Sequence, residues 1–247
     1  MNPVQAATKL VDLSLPVTVG TNPVYEGRPW LSYHPVASHA DSVFESNCVE
    51  MFLHAGSHID APYHFDPDGK RIGELPLETF VGEAVVLDLT DAQPDQAMDA
   101  DRLARAYETA TGGEPNDAKI ALLCTGWAAR VVPPAKEWWG SGPYLDVSAA
   151  HWLVEQGFTA VGFDFPQDKT TKDIDRLSAL KSGEVKLSEM EDPPLPVHVV
   201  LLSNGIAQIE NIAGLEALPA TGATIVAAPI LLAEAEGAPA RVFAMVP

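Results

Sequence analysis

Residues 54–65, HAGSHIDAPYHF, hold three of the seven histidines of the chain together with an aspartate. Imidazole and carboxylate side chains at this density are ligands for a borderline divalent metal ion such as Zn²⁺ or Mn²⁺. Alternate residues of an extended strand share a face, so His54, His58 and Asp60 are expected to point the same way. Gly56 leaves a space between the two histidines. Three protein ligands would leave positions open for water and substrate, as in a catalytic site.

The alternative interpretation is that these residues lie in a polar turn, where each of them has its own hydrogen-bond partner. Burying so many polar side chains without partners is costly, which favours an ion among them. A cupin-type site is a second alternative, but it needs a His-x-His pair followed by a glutamate, and this segment has neither.

The elements around this segment follow from hydrophobic patterning. Apolar and β-branched runs predict strands, which fall at residues 9–17, 49–60, 83–90, 119–127, 160–165, 206–211, 222–230 and 240–246. Helices are predicted from capping residues and stop signals at residues 99–110, 146–157 and 194–205. Strands outnumber helices and alternate with them in the second half. We therefore expect one α/β domain over residues 1–247, with a mixed β-sheet core flanked by helices.

Composition excludes several function classes. The chain has 15 Lys and Arg against 34 Asp and Glu, for a net charge of −19. Nucleic acid and anionic membrane surfaces need clustered basic residues, so neither is an expected partner. The sequence shows no pattern of a secretory signal, and Cys48 and Cys124 stand far apart. We therefore expect two reduced core thiols and a cytoplasmic location.

With these features, the chain resembles the metal-dependent cyclase-family hydrolases, which include bacterial kynurenine formamidases and isatin hydrolases. Their signature, His-x-Gly-Thr-His-x-Asp-x-Pro-x-His, matches residues 54–64, with Ser57 replacing threonine. The similarity continues along the chain, in segments that include LVDLSLPV, GELPLETFVGEAVVLDLT, AVGFDFPQ, PVHVVLLSNGIAQIENIAGLEAL and ATIVAAPI.

The resemblance implies a swivelling β/β/α fold and an amide hydrolase acting through metal-activated water. It implies that His198 and Glu210 hold a second ion, with Asp60 bridging the two, so that the chain binds one or two divalent ions. His64 would stay unliganded as the general acid/base. The implied substrate is an aryl formamide or a cyclic amide, and no organic cofactor is implied. The alternatives are a lactone hydrolase and a catalytically idle protein that binds a metal or a small molecule.

Two further expectations concern substrate and assembly. Some of seven aromatic residues are candidates to line an aromatic-binding pocket, and the alternative for each of them is ordinary core or interface packing: Trp30, Trp127, Trp138, Trp139, Tyr144, Phe163 and Phe165. Two departures from the formamidases leave the substrate open: Gln167 replaces a frequent serine, and the tract at residues 169–194 is long. Residues 21–35, rich in proline and aromatic residues, predict an arm that lies across a neighbouring subunit in a homodimer or homotetramer.

Overall fold

Three of the five described α-helices coincide with the three predicted helical segments, and two short helices were not predicted. The computed structural model describes residues 9–19, 31–131, 135–169 and 194–247. Its α-helices are α1 (Ala100–Thr111), α2 (Trp127–Arg130), α3 (Lys136–Ser141), α4 (Val147–Glu155) and α5 (Pro196–Ser203). Asp99 and Asp146 cap α1 and α4 by accepting hydrogen bonds from backbone amides. None of the described helices is long and apolar enough to cross a bilayer.

A mixed sheet of nine strands forms the centre of the described fold, and two small sheets accompany it. The strands are β1 (Lys9–Asp12), β2 (Leu31–Ala37), β3 (Ser46–Met51), β4 (His58–Asp60), β5 (Val81–Asp88), β6 (Ala97–Met98), β7 (Ile120–Cys124), β8 (Tyr144–Leu145), β9 (Ala160–Phe163), β10 (Ala207–Glu210), β11 (Ala223–Val226), β12 (Gly237–Pro239) and β13 (Phe243–Val246). The order across the large sheet is β1-β13-β11-β5-β7-β9-β10-β4-β12. This architecture confirms the predicted fold class, a mixed sheet flanked by helices.

The middle of the sheet is parallel and buried on both faces. Strands β5, β7, β9 and β10 run parallel to one another. Along β7, Ala121 and Leu123 pack on the helix side, whereas Ile120 and Leu122 pack into a second apolar layer on the opposite face. Continuous apolar runs are typical of parallel strands covered on both sides. These central strands give the rest of the fold a rigid base.

Short β4 is held between two antiparallel partners. Its His58 lies opposite Glu210 of β10, and its Asp60 lies opposite Gln208 of β10 and Gly237 of β12. Because side chains alternate along a strand, His58 and Asp60 face the same side as Gln208 and Glu210. The register therefore places four polar side chains of two strands together.

The continuous strand predicted at residues 49–60 is wrong. The segment divides into β3, a turn at residues 52–57, and β4. Gly56 has a φ of +61°, which ends any extended run, and a Cβ there would lie 2.2 Å from Cγ2 of Val17. His54 thus reaches Asp60 from a turn and does not share a strand face with His58.

Strand β3 belongs to a hairpin with β2, and this hairpin, residues 31–51, exposes apolar side chains. Val36 is 66% exposed, and Val43 in the connecting loop is 95% exposed. Cys48 is also exposed on the hairpin, so the prediction of two core thiols holds only for the buried Cys124. Of the predicted intersubunit arm, residues 31–35 form part of β2, and residues 21–30 lie outside the described residues.

Candidate metal centre

The first predicted ligand set converges on the carboxylate of Asp60. Nδ1 of His54 lies 2.6 Å from Oδ1 of Asp60, and Nε2 of His58 lies 3.2 Å from the same oxygen. His58 and Asp60 are each only 1% exposed. Ligand atoms of these three residues lie within 4.8 Å of one another, which is close enough to hold one ion. The structure thus brings together the three residues that the sequence predicted as ligands, although His54 lies in a turn and not on the predicted strand.

The second predicted set shares Asp60 with the first. His198 on α5 and Glu210 on β10 approach each other, with Nε2 of His198 3.1 Å from Oε1 of Glu210. Nε2 of His198 lies 3.9 Å from Oδ2 of Asp60. The two oxygens of Asp60 therefore face different groups, as the predicted bridging role requires.

The hydrogen bonds of His58 fit a metal ligand. Its Nδ1 lies 2.9 Å from the carbonyl oxygen of Gly56, so that nitrogen carries the proton and donates it. Nε2 then presents a lone pair to the centre, where it is buried and has no hydrogen-bond partner among the described residues. Metal-binding histidines commonly donate their second nitrogen to a carbonyl or carboxylate in this way. Two imidazoles and a carboxylate suit a divalent ion.

His198 is oriented in the same manner by a residue that the sequence did not single out. Its Nδ1 lies 2.6 Å from Oδ2 of Asp168, whose carboxylate also accepts hydrogen bonds from the backbone amides of Val197 and His198. Asp168 thus anchors the first turn of α5 and directs Nε2 of His198 toward Asp60 and Glu210.

The carboxylates of the centre favour positive charge on the groups around them. Burial works to lower the pKa of His54, but the charge and hydrogen bond of Asp60 outweigh it and raise that pKa to about 10. Burial likewise works to raise the pKa of Asp60, but the neighbouring imidazoles hold it well below its usual range. This is the electrostatic setting that a divalent cation requires.

His64 lies beside the centre without joining either ligand set. It ends a short 3₁₀ helix, Pro62–His64, and its ring stacks on that of His54 with 4.2 Å between centroids. Its Nε2 lies 3.8 Å from Oδ2 of Asp60, and 29% of its side chain is exposed. Burial is the main reason that its pKa is lowered to about 4. A neutral imidazole with access to solvent is suited to proton transfer.

Three other polar residues complete the surroundings. Gln208 and Gln167 are buried next to Glu210, and Oε1 of Glu236 lies 3.4 Å from Nε2 of His54. Gln208 stands two residues before Glu210, so strand alternation could have indicated it. Nothing near Glu236 or Gln167 in the sequence indicates that pairing and helix packing bring them to the centre.

Core packing, and not a pocket, is what the structure shows for most of the seven candidate aromatic residues. Four of these rings belong to the buried core beneath the helices, namely Trp127, Trp138, Phe163 and Phe165. Trp139 packs against that core, Tyr144 lies under the amine of Lys169, and Trp30 is outside the described residues.

Phe52 and Phe65 are the aromatic residues that contact the centre. The ring centroid of Phe52 lies 5.3 Å from that of His54, and Phe65 lies 4.7 Å from His64 and 5.1 Å from His198. Both flank the histidine-rich segment in the sequence, and that proximity was the signal by which they could have been found.

Comparisons with known proteins agree with this geometry. Kynurenine formamidase of Bacillus mycoides (strain KBAB4) is 26% identical over 199 residues, covering 78% of this chain and 76% of that protein. Kynurenine formamidase of Bacillus anthracis is 24% identical over 237 residues, covering 95% of this chain and 96% of that protein. The structure of isatin hydrolase A from Labrenzia aggregata, bound to benzyl benzoate, superposes with a TM-score of 0.77 at 25% identity, covering 98% of this chain and 95% of the other.

A family comparison gives the assignment. Residues 11–167 match the family described as "Putative cyclase", a segment that contains the whole histidine-rich signature and more than half of the chain. The resemblance predicted from residues 54–64 is confirmed, and this protein is a member of the cyclase family.

Proposed function

We propose that the protein is a metal-dependent hydrolase that cleaves the carbon–nitrogen bond of an amide, and that residues 1–247 form one catalytic domain. The observation that carries this proposal is the buried cluster of His54, His58 and Asp60 with the unliganded His64 beside it. The named relatives, kynurenine formamidases and isatin hydrolases, support amide cleavage.

In this proposal His54, His58 and Asp60 hold a divalent ion, Zn²⁺ or Mn²⁺. Such an ion supplies Lewis-acid polarisation of a carbonyl and lowers the pKa of water. The chain supplies the orientation: the carbonyl of Gly56 fixes the proton of His58 on Nδ1, which leaves Nε2 free to bind.

His64 transfers the proton in the proposed mechanism. Its Nε2 accepts a proton from the attacking water and passes it to the leaving nitrogen. Oδ2 of Asp60 lies 3.8 Å from Nε2 of His64. The Asp60 carboxylate stabilises the imidazolium that forms between the two proton transfers. Phe65, in edge contact with the His64 ring, limits the positions that this ring can take.

The proposed substrate is an aryl formamide or a cyclic aryl amide. Phe52 and Phe65 flank the imidazoles and offer apolar faces and edges to a planar ring. The names of the relatives point to the same class of substrate.

The proposal also includes a homodimer or homotetramer and a cytoplasmic location, both of which stay predictions. Support for an oligomer comes from the hairpin at residues 31–51, where Val36 and Val43 are mostly exposed. Exposed apolar groups concentrated on one projecting element are typical of subunit contacts.

The deciding experiment combines metal analysis with a substrate panel. Purified protein is loaded with Zn²⁺ or Mn²⁺, dialysed, and assayed on N-formylkynurenine, isatin and several small lactones. We expect bound metal and turnover of an amide. Turnover of lactones alone would identify the protein as a lactone hydrolase. Bound metal without any turnover would identify it as a catalytically idle binding protein. A protein that retains no metal would contradict the proposed site.

A further inference from the structure

The side chain of Gln167 lies among the atoms of the second ligand set. It is 2% exposed, and its Nε2 lies 3.2 Å from Nε2 of His198 and 2.5 Å from Oε1 of Gln208. The same nitrogen donates a hydrogen bond to Oε1 of Glu210. One amide nitrogen therefore stands where the resemblance places a cation.

The neighbours of this nitrogen require a donor. A carboxylate such as that of Glu210 only accepts hydrogen bonds. Gln208 presents Oε1 to the same nitrogen, and an amide oxygen also accepts. The amide of Gln167 must then turn its NH₂ group, and not its oxygen, toward these two acceptors. Nε2 of His198 lies 3.1 Å from Oε1 of Glu210 and completes the cluster.

The backbone holds Gln167 in this position. Its carbonyl oxygen accepts a hydrogen bond from the amide of Leu145 at 2.9 Å, and the next residue, Asp168, is bound to the first turn of α5. The side chain thus starts from a fixed point on a buried loop, and moving its amide away would remove the donor that the oxygens of Glu210 and Gln208 share.

We propose that the Gln167 amide replaces the second cation, so that this chain binds one divalent ion, at His54, His58 and Asp60. This inference rests on the proposed function, because it assumes that the first set holds an ion. His198 and Glu210 then serve as a hydrogen-bonded wall of the site. Asp60 still belongs to both ligand sets, but only the first set holds a metal ion.

The test is the number of ions bound per chain. Wild-type protein, Gln167→Ser and Gln167→Glu are saturated with Zn²⁺ or Mn²⁺, freed of excess metal, and measured by elemental analysis, with titration calorimetry to separate the binding steps. Serine is too short to reach the acceptors, and glutamate keeps the length while replacing the donor with an acceptor. Gln156→Ser, at the exposed C-terminal cap of α4, makes the same change away from the centre.

We expect about one ion in the wild type and in Gln156→Ser, and about two ions in Gln167→Ser and Gln167→Glu, since removal of the donor re-opens a paired-ion site. Circular dichroism establishes that each variant is folded. Two ions in the wild type would overturn the inference and leave the proposed function intact. Folded Gln167 variants that both stay at one ion would overturn it as well. A wild-type protein that binds none would contradict both the inference and the proposed function.

Discussion

The imidazoles of His58 and His198 each have a partner for the ring nitrogen that turns away from the centre. The carbonyl oxygen of Gly56 accepts a hydrogen bond from Nδ1–H of His58. The carboxylate of Asp168 accepts one from Nδ1–H of His198. Such partners fix which nitrogen is free and how the ring is turned. The chemistry of single residues here is therefore decided as much by these acceptors as by the histidines.

His58→Ala and His64→Ala should separate binding from proton transfer. The first variant removes one of three ligands, so we expect loss of the metal and of activity together. The second should keep its metal while turnover falls by roughly two to four orders of magnitude, the usual contribution of a general acid/base. Elemental analysis beside steady-state kinetics measures both quantities. Loss of metal from His64→Ala would make that residue a ligand.

Asp168→Asn should destabilise the protein through the start of α5. The asparagine cannot accept all the bonds that the buried carboxylate accepts from Val197 and His198, and we expect a loss of about 2–4 kcal/mol in the free energy of unfolding. Asp146→Asn is the control, because that exposed carboxylate only caps α4 and should cost about 1 kcal/mol or less. Urea unfolding measures the two; equal losses would argue against the anchoring role.

Residue spacing alone indicated the candidate first ligand set, since a segment of eleven residues carries it. The approach of Gln167, Asp168 and Glu236 to the centre was beyond such reasoning. These residues reach the centre through strand register and helix docking over long stretches of chain, and the residue types alone give no indication of that.

At the scale of elements, the centre depends on the close approach of β12 to β4 and to the turn that carries His54. The Cα of Gly237 on β12 lies so near the site that an added Cβ would be 2.9 Å from Cε1 of His54 and 2.9 Å from the carbonyl oxygen of Ile59. Small size at this position is therefore a requirement of the metal centre itself.

Gly237→Ala should weaken metal binding. The methyl group must displace either His54 or β4, and we expect a loss of about ten- to a hundredfold in metal affinity, the effect of disturbing the support of a ligand. Gly82→Ala on β5 is the matched control, because the heavy atom nearest to its added Cβ would be Cδ1 of Ile120, at 3.8 Å. Competition with a chromophoric chelator gives the affinities. Equal affinities in both variants would show that β12 does not constrain the site.

The carboxylate that follows β9 predicts a pH effect on stability. Asp164 is 1% exposed, and burial raises its pKa to about 6, although Thr125 and Gly126 donate hydrogen bonds to it. A carboxyl whose pKa is higher in the folded state binds its proton more tightly there, so this group stabilises the fold at low pH. That contribution is lost as pH rises from about 4 through about 6.

Asp164→Asn should remove this dependence. Between pH 4 and pH 7 the wild type should lose about 2–3 kcal/mol more of its free energy of unfolding than the variant does. Urea unfolding at several pH values gives the slope of the free energy of unfolding against pH. This slope is independent of any uniform destabilisation by the asparagine. Parallel curves would mean that Asp164 titrates normally.

Local patterning predicted most elements because apolar runs and capping aspartates act over a few residues. It failed at residues 49–60, where a single turn at Gly56 divides an apparently continuous strand. Nothing in the residue types distinguishes a glycine that leaves room for an ion from one that reverses the chain, because glycine suits both.

At the scale of the whole molecule, the hairpin at residues 31–51 exposes several large apolar side chains to water. A double change of Val43→Asp and Phe44→Ser should shift the proposed oligomer toward monomer, since both side chains are more than half exposed and would become polar at a contact. Leu77→Asp, at an apolar residue that is 71% exposed elsewhere, should have no effect. Light scattering at micromolar concentration measures the mass. A monomeric wild type would contradict the proposed oligomer.

The pairing of β4 with β10 and β12 also has a consequence for biosynthesis. Asp60 is translated long before the strands opposite it, which carry Gln208 and Gly237. Contacts between segments so far apart in sequence close late in folding. A polypeptide emerging from the ribosome therefore carries its histidine-rich segment without a formed pocket until both of these strands have been made. Metal acquisition should accordingly follow the synthesis of β12, and the choice of ion should reflect the metals available at that stage.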